Sequence, residues 1–336
     1  MAIAYSLMAL PDKHNRNHNY LRISLTEKCN LRCAYCMPAE GIPLLPSAKL
    51  MQADEVFAIA KTFVSLGVDK IRLTGGEPLV RKDFDVILRN LASLPVELAI
   101  STNGILVDKH VALFKETGLQ KINLSIDSLQ PEKFAQITRR NDFEKVMRNL
   151  DLLLENNFNI KLNVVLMRGF NEDEIIDFIN FTKTRKVAVR FIEFMPFGGN
   201  DWKADKMLSL EEILEKAKNA FGEKLIALKN HENDTAKNFK ISGYAGSWGV
   251  ISTVTSPFCA GCNRLRLTAD GKMKNCLFSN QEMDLLSALR ENKPLENLVK
   301  LAVYDKHAIR AGMDTPEKFA DKNLNQDNRS MIAIGG

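Results

Sequence analysis

The chain has 336 residues, 45% hydrophobic and 7% aromatic, with 46 Lys and Arg against 41 Asp and Glu, a formal charge of +5. These are the proportions of an ordinary soluble protein, long enough for one large α/β barrel plus a smaller appendage. No uninterrupted apolar run is long enough to cross a membrane, and the mild basic excess fits a small anionic substrate without identifying one.

The opening, 1–20, has a short apolar stretch with no basic residue before it, a poor signal peptide and a better flexible or docking arm. Apolar, β-branched runs at 21–26, 70–74, 98–102, 121–126, 161–167 and 189–195 read as strands. Amphipathic segments at 53–66, 84–91, 107–117, 143–156 and 172–184 read as helices between them. Six strands alternating with helices give a parallel β/α sheet, because parallel neighbours need a crossover connection. The pattern alone leaves open whether this sheet curls into a partial barrel or stays an open, doubly wound one.

Polar and glycine-rich segments follow the strands: Thr74-Gly75-Gly76-Glu77-Pro78, Ser101-Thr102-Asn103-Gly104 and Ser125-Ile126-Asp127-Ser128. Barrel enzymes place their active sites at such strand ends. Arg22, Lys70, Arg72, Lys161, Arg190, Arg264 and Arg266 sit beside or within strand-like runs, where a charge needs a partner to offset desolvation. A strand-end salt bridge explains any one of them; an interior lined by all seven would hold a polyphosphate. The β/α rhythm breaks at 196–200, and the polar stretch 229–240 is a loop candidate. The expected division is a barrel with its N-terminal arm, 1–225, and a C-terminal region, 226–336.

All six cysteines fall into two triads, Cys29, Cys33, Cys36 and Cys259, Cys262, Cys276. Three thiolates suit a soft metal centre, and each set stops one short of the four that close a tetrahedral site. The first is C-x3-C-x2-C, unlike the C-x2-C pair of zinc ribbons and thioredoxin-type sites. Three cysteines on one loop can hold a cubane iron–sulfur cluster and leave one iron open. In the second set, Leu265 and Leu267 followed by Asp270-Gly271 read as a strand entering a hairpin that returns Cys276 to the Cys259–Cys262 pair. A zinc ribbon would expect a second close pair, which is missing, and none of the five histidines stands near either triad at zinc-ligand spacing. Cysteines kept for metal imply a reducing compartment.

These motifs resemble the radical S-adenosylmethionine superfamily and, within it, the GTP 3′,8-cyclase family that opens molybdenum-cofactor biosynthesis. The resemblance runs over nearly the whole chain, including Cys262-Asn263-Arg264-Leu265-Arg266 and the ending Asn328-Arg329-Ser330-Met331-Ile332-Ala333-Ile334-Gly335-Gly336. It implies an incomplete (β/α)6 TIM-type barrel with a C-terminal auxiliary-cluster region. It implies two [4Fe-4S] clusters, the first on Cys29, Cys33 and Cys36 and the second on Cys259, Cys262 and Cys276. S-Adenosylmethionine would bind the open iron of the first, against Tyr35, Gly76, Ser125 and Met195. GTP would meet the second cluster and be held by Arg22, Arg72, Thr102, Lys161, Arg264, Leu265 and Arg266, with Lys70 and Arg190 as further contacts. Arg264, Arg266 and a mobile tail ending in Gly335 and Gly336 would act in catalysis.

The reaction implied is that of a lyase. A 5′-deoxyadenosyl radical takes hydrogen from ribose C3′, C3′ adds to C8 of guanine, and (8S)-3′,8-cyclo-7,8-dihydroguanosine 5′-triphosphate results. The partners implied are an electron-donor protein, a second copy in a homodimer and cyclic pyranopterin monophosphate synthase as recipient, in the cytoplasm. One rival is another auxiliary-cluster radical enzyme, such as a peptide-modifying one, which shares the first motif but is not expected to carry the Asn263–Arg266 segment and the Gly-Gly end. The other is a zinc protein binding RNA, for which the sequence offers no arginine-rich run or aromatic stacking motif.

Overall fold

Residues 9–198, 200, 202–321 and 328–335 are described by a computed structural model. Strands β1 (Tyr20–Ser24), β2 (Lys70–Thr74), β3 (Glu97–Thr102), β4 (Lys121–Ser125), β5 (Asn159–Leu166) and β6 (Ala188–Glu193) pair in chain order and in parallel. These are the six strands expected from the sequence. Two more parallel strands extend the edges: β9 (Ser247–Ile251) lies beside β6 and β10 (Arg264–Leu267) beside β1. Antiparallel strands finish the sheet, β8 (Lys237–Ile241) and β7 (Leu225–Ala227) beyond β9, and β11 (Lys272–Lys274) and β12 (Met283–Asp284) beyond β10.

The order is β12-β11-β10-β1-β2-β3-β4-β5-β6-β9-β8-β7, with β9 and β10 at opposite ends of the parallel portion and unpaired with each other. The sheet is therefore a curled, open barrel, and it continues across residue 225. The chain spans the opening between β9 and β10, and Cys259 and Cys262 lie on that span. The β10–β11 hairpin turns at Thr268–Gly271, with the Gly271 amide donating to the Thr268 carbonyl at 2.9 Å. It returns the chain toward Cys276, as the spacing requires.

Period-two alternation sorts each strand. Leu21, Ile23, Ile71, Leu73, Ile122, Leu124, Leu162, Phe191, Leu265 and Leu267 are fully buried and pack outward against the helices. The helix Ala53–Ser65 contributes Val56, Ile59, Ala60 and Phe63 to that layer. A capping box starts it, the Glu55 carboxylate accepting the Gln52 amide at 2.7 Å. The alternate residues face inward: Tyr20, Arg22 and Ser24; Lys70, Arg72 and Thr74; Lys161, Asn163 and Val165; Arg190; Arg264 and Arg266. An ordinary barrel fills this space with Val, Ile and Leu layers, whereas this one fills it with cations and hydroxyls.

Three local expectations need correction. The segment 107–117 is a short 3-10 turn, Val107–Lys109, and then a helix, Val111–Glu116, and 172–184 is likewise split before Ile175–Phe181. The end of the 229–240 loop candidate belongs to β8, whose Lys237 is exposed and whose Asn238 and Lys240 are half-buried. The helix Pro131–Thr138 was hidden by its low overall hydrophobicity, although Pro131 in its first turn and Phe134 and Ile137 at i, i+3 spacing mark it. Among the described residues no helix is long and apolar enough to cross a membrane.

Candidate functional site

One cavity opens at the C-terminal ends of the parallel strands, and both cysteine triads border it. The first triad lies on the loop after β1, held from two sides. On one side Gly76 N donates to Thr26 O at 2.7 Å and Glu77 N to Lys28 O at 2.8 Å. On the other, Arg32 N and Ala34 N each donate at 2.9 Å to the carbonyls of Thr138 and Ile137, the free C-terminal acceptors of the unforeseen helix. Arg139, with φ of 55°, turns its guanidinium back onto the Arg32 and Met37 carbonyls.

Gly76 borders the cavity, but its lack of a side chain is required elsewhere. A Cβ there would lie 2.5 Å from the Lys28 carbonyl oxygen and 2.9 Å from that of Glu27. The glycine thus lets the strand-end segment approach the cysteine loop rather than only a ligand. Gly76→Ala is expected to lower stability by about 1–3 kcal/mol through overpacking and to impair iron uptake at the first triad. Thermal midpoint and iron content after anaerobic reconstitution check this, and unchanged values in both would refute it.

Glu77, fully buried, accepts hydrogen bonds from Thr102 Oγ1 at 2.8 Å, Asn103 N at 2.7 Å and Leu79 N at 3.1 Å, and burial pushes its carboxyl up to about 7. Asn103 Nδ2 donates to Asn30 Oδ1 at 2.7 Å and lies 3.9 Å from Cys29 Sγ. Tyr35 donates from its hydroxyl to Asp127 at 2.9 Å, and burial lifts Asp127 to about 6. Asn103, Glu77 and Asp127 stand in the quoted strand-end motifs but were not singled out as site residues; the polar ends of β2, β3 and β4 were the available signal.

The two triads sit in different electrostatic surroundings. Burial pushes Cys29 up to about 11 and Cys36 to about 12, and lifts Cys33 well above its ordinary value, with Asp127 adding to the shift at Cys33. Burial would also raise Cys262, but Lys306 and Arg264 beside it draw its thiol down to about 6. Cys259 is raised by burial, with Cys276 and Cys262 close enough to add to it. All six cysteines are free, and among the described residues no three His, Cys, Asp or Glu side chains converge as a site for one metal ion. Soft, exclusively sulfur donors on a common cavity fit iron–sulfur ligation, where each thiolate takes its own iron of a cubane.

The basic residues form a continuous lining. Arg22, Arg190, Arg264 and Arg266 border the cavity, while Arg72 and Lys161 lie on the same inward face below it and Lys70, half-buried at the strand start, is ion-paired with Glu97. Tyr20 sits among the deeper group, its hydroxyl accepting Arg72 Nε at 2.6 Å. Burial opposes ionisation of this phenol, yet Arg22 and Arg72 bring it down to about 7. Burial and the neighbouring cations depress the bases too, Lys161 to about 8 beside Arg190, Arg190 to about 10 beside Arg72 and Arg266 to about 9 beside Arg22. Arg22 Nε, Arg190 Nε, one Arg264 amino nitrogen and Asn163 Oδ1 are buried without hydrogen-bond partners. Such groups are costly unless a ligand completes them.

Of the other sequence-nominated residues, Tyr35, Gly76, Ser125, Met195 and Thr102 border the cavity. Leu265 does not. Its side chain is fully buried in the outer hydrophobic layer, the opposite parity from Arg264 and Arg266. The C-terminal tail enters the mouth: Met331 and Ile332 border the cavity, Ile334 packs with Phe197, Phe278, Met313 and Phe319, and the Gly335 carbonyl accepts a hydrogen bond from Arg266. At Gly335, with φ of 86°, a Cβ would meet Thr74 Oγ1 at 2.5 Å and Ser24 Cβ at 2.9 Å. Arg329 anchors this segment by forked bonds to Glu282 and Asp270 at 2.7–2.9 Å. Gly336 lies outside the described residues.

Residues 23–182 match the family model of the radical SAM superfamily and 187–311 that of molybdenum cofactor synthesis C. The chain is 47% identical over 333 residues to the mitochondrial GTP 3′,8-cyclase of Arabidopsis thaliana, covering 97% of this chain and 83% of that one. The chain belongs to the GTP 3′,8-cyclase family. A GTP 3′,8-cyclase of Alkaliphilus oremlandii is 40% identical, covering 97% of this chain and all of that one. Human molybdenum cofactor biosynthesis protein 1 is 46% identical, and the chain spans 97% of itself but 51% of that relative. Streptococcus suis SuiB shares the fold at a TM-score of 0.60 and 17% identity, covering 89% of this chain and 68% of that one. As a radical SAM member of the GTP 3′,8-cyclase family, the chain uses S-adenosylmethionine and a [4Fe-4S] cluster.

Proposed function

We propose that this chain converts GTP to (8S)-3′,8-cyclo-7,8-dihydroguanosine 5′-triphosphate, the first step of molybdenum-cofactor biosynthesis. The observation that carries the reading is one cavity bordered by both cysteine triads and by Arg22, Arg190, Arg264 and Arg266, in a chain 47% identical to a named GTP 3′,8-cyclase. We assign the first cluster to Cys29, Cys33 and Cys36 and a second to Cys259, Cys262 and Cys276. When bound, the first cluster and S-adenosylmethionine supply the radical that takes hydrogen from ribose C3′.

Tyr35, Gly76, Ser125 and Met195 border the cavity and would hold S-adenosylmethionine. Arg22, Arg190, Arg264 and Arg266, with Thr102, would grip GTP between the triads, and Lys70, Arg72 and Lys161 would receive the phosphates from below. Guanidinium forks match phosphate oxygens, and the unpartnered nitrogens of Arg22, Arg190 and Arg264 offer such donors. The tail closes the mouth and limits water, while orientation of C3′ against the radical supplies much of the rate. A homodimer, an electron-donor protein, delivery to cyclic pyranopterin monophosphate synthase and a reducing, cytoplasmic setting complete the proposal; the six free thiols support the last.

Incubating the anaerobically reconstituted chain with S-adenosylmethionine, reductant and GTP tests the reading. GTP-dependent 5′-deoxyadenosine with a cyclised nucleotide is the expected result. Cleavage without GTP conversion would reject the substrate.

The cation box also sets a pH dependence. Against burial, Arg22 and Arg72 draw Tyr20 down to about 7, and burial with Arg190 beside it draws Lys161 down to about 8. A bound triphosphate favours protonated Lys161 and disfavours phenolate, raising both values, so binding takes up protons at pH between the free and bound value of each group. GTP affinity should fall as pH rises from about 7 to 9. Calorimetry in buffers of different ionisation enthalpy should show proton uptake near pH 8, reduced in Lys161→Met; zero uptake in the unmodified chain would refute it.

A further inference from the structure

Lys306 is a buried lysine, 2% exposed, placed just after the helix Glu296–Tyr304 and used by none of the roles above. Its ammonium has three N–H groups and three acceptors: His18 Nε2 at 2.9 Å, the Arg264 carbonyl at 3.0 Å and Cys262 Sγ at 3.3 Å. Among the described residues no carboxylate forms an ion pair with it. A buried cation needs an anionic partner to offset its desolvation, and the anion-forming group it touches is the Cys262 thiol.

The lysine is itself held in place. Since the ammonium can only donate, His18 Nε2 must accept, which leaves the proton on Nδ1, 3.3 Å from the Leu10 carbonyl. Burial and the facing ammonium keep His18 neutral, with its pKa lowered to about 3. The same N-terminal segment grips the cysteine loop directly. Arg16, paired with buried Asp12 at 2.6 Å, donates to the Cys259 carbonyl at 2.9 Å and to the His307 and Ala308 carbonyls at 2.8 Å. The docked part of the N-terminal arm and the segment after Glu296–Tyr304 thus meet beneath the second triad. Among the described residues, no ammonium or guanidinium group donates a hydrogen bond to a sulfur of the first triad.

We infer that Lys306, oriented by His18, is a positioning residue for the second iron–sulfur cluster, donating to the Cys262 thiolate and raising that cluster's reduction potential above the value its thiolates alone would set. The inference rests on the assignment of a cluster to Cys259, Cys262 and Cys276. Its physical basis is that hydrogen bonds and positive charge at a ligating sulfur offset the electron added on reduction. The two clusters would then differ in potential because one has a buried ammonium on a ligand and the other does not.

The test compares the unmodified holoprotein with Lys306→Met, Lys306→Gln and His18→Leu, using iron content and anaerobic redox titration followed by electron paramagnetic resonance. The second-cluster signal is identified as the one that survives alanine replacement of Cys29, Cys33 and Cys36. Lys306→Met should shift the oxidised-to-reduced ratio at fixed potential at least tenfold toward oxidised, about 59 mV lower for one electron. Lys306→Gln, which keeps N–H donors without the charge, should shift it less, and His18→Leu should shift it in the same direction by a smaller amount with full iron content. An unchanged second-cluster potential in Lys306→Met overturns the inference. Where Lys306→Met fails to retain the cluster, an unchanged potential in His18→Leu overturns it instead. Iron for one cluster alone in the unmodified chain, with no signal surviving loss of the first triad, overturns the second-cluster assignment and the inference with it.

Discussion

Replacing Cys33 with alanine is expected to bring 5′-deoxyadenosine release to background while leaving the chain folded and about four irons still bound at the second triad. The loop does not need this sulfur for its shape. The Cys33 carbonyl accepts Cys36 N at 2.9 Å and Met37 N at 3.1 Å, and both bonds survive the change. The adjoining amides of Arg32 and Ala34 remain on Thr138 and Ile137. On the proposed assignment one of three ligands is lost, and two thiolates would not retain a cubane cluster. Iron analysis and product quantification decide the matter: wild-type cleavage in this variant would reject the first-triad assignment.

Arg266→Ala should separate the two halves of the reaction. S-Adenosylmethionine cleavage should persist, because the hydrogen bond of Arg266 goes to the tail rather than to the first cysteine loop, while GTP affinity falls about 100-fold, as expected for loss of about 3 kcal/mol of charge-assisted hydrogen bonding. Arg266 is also the donor that holds the Gly335 carbonyl, so cyclisation should suffer beyond the binding loss. Removing 335–336 isolates that second effect: cluster content and GTP affinity should stay near those of the unmodified chain while cyclisation drops. Normal GTP affinity in Arg266→Ala would remove its substrate role, and unchanged product formation by the truncated chain would remove the tail's.

The linear order of residues was informative wherever chemistry depends on local spacing. C-x3-C-x2-C places three thiols on one loop whatever the remainder does, and period-two alternation gave the six central strands. Local spacing also set the β10–β11 hairpin, since Gly271 readily adopts the positive φ, 69°, of that turn. The inward aim of Arg22, Arg72 and Arg190 followed from parity once the strands were known. Leu265 shows the limit of motif carry-over: flanked by two cavity arginines, it must point the opposite way on a strand.

Other features depended on which elements became neighbours. That the six-stranded pattern gains β9 and β10 as parallel edges, and stays open between them, is a long-range pairing that no local signal carries. The support of the cysteine loop by the carbonyls of Pro131–Thr138, about a hundred residues away, is of the same kind. So is the meeting of His18, Cys262 and Lys306, residues separated by up to 288 positions. Sequence spacing determined which cysteines group into the two candidate ligand sets. Tertiary packing alone decided which charges stand beside them, because desolvation and Coulomb attraction act through space and a lysine far along the chain leaves no periodic trace of its destination.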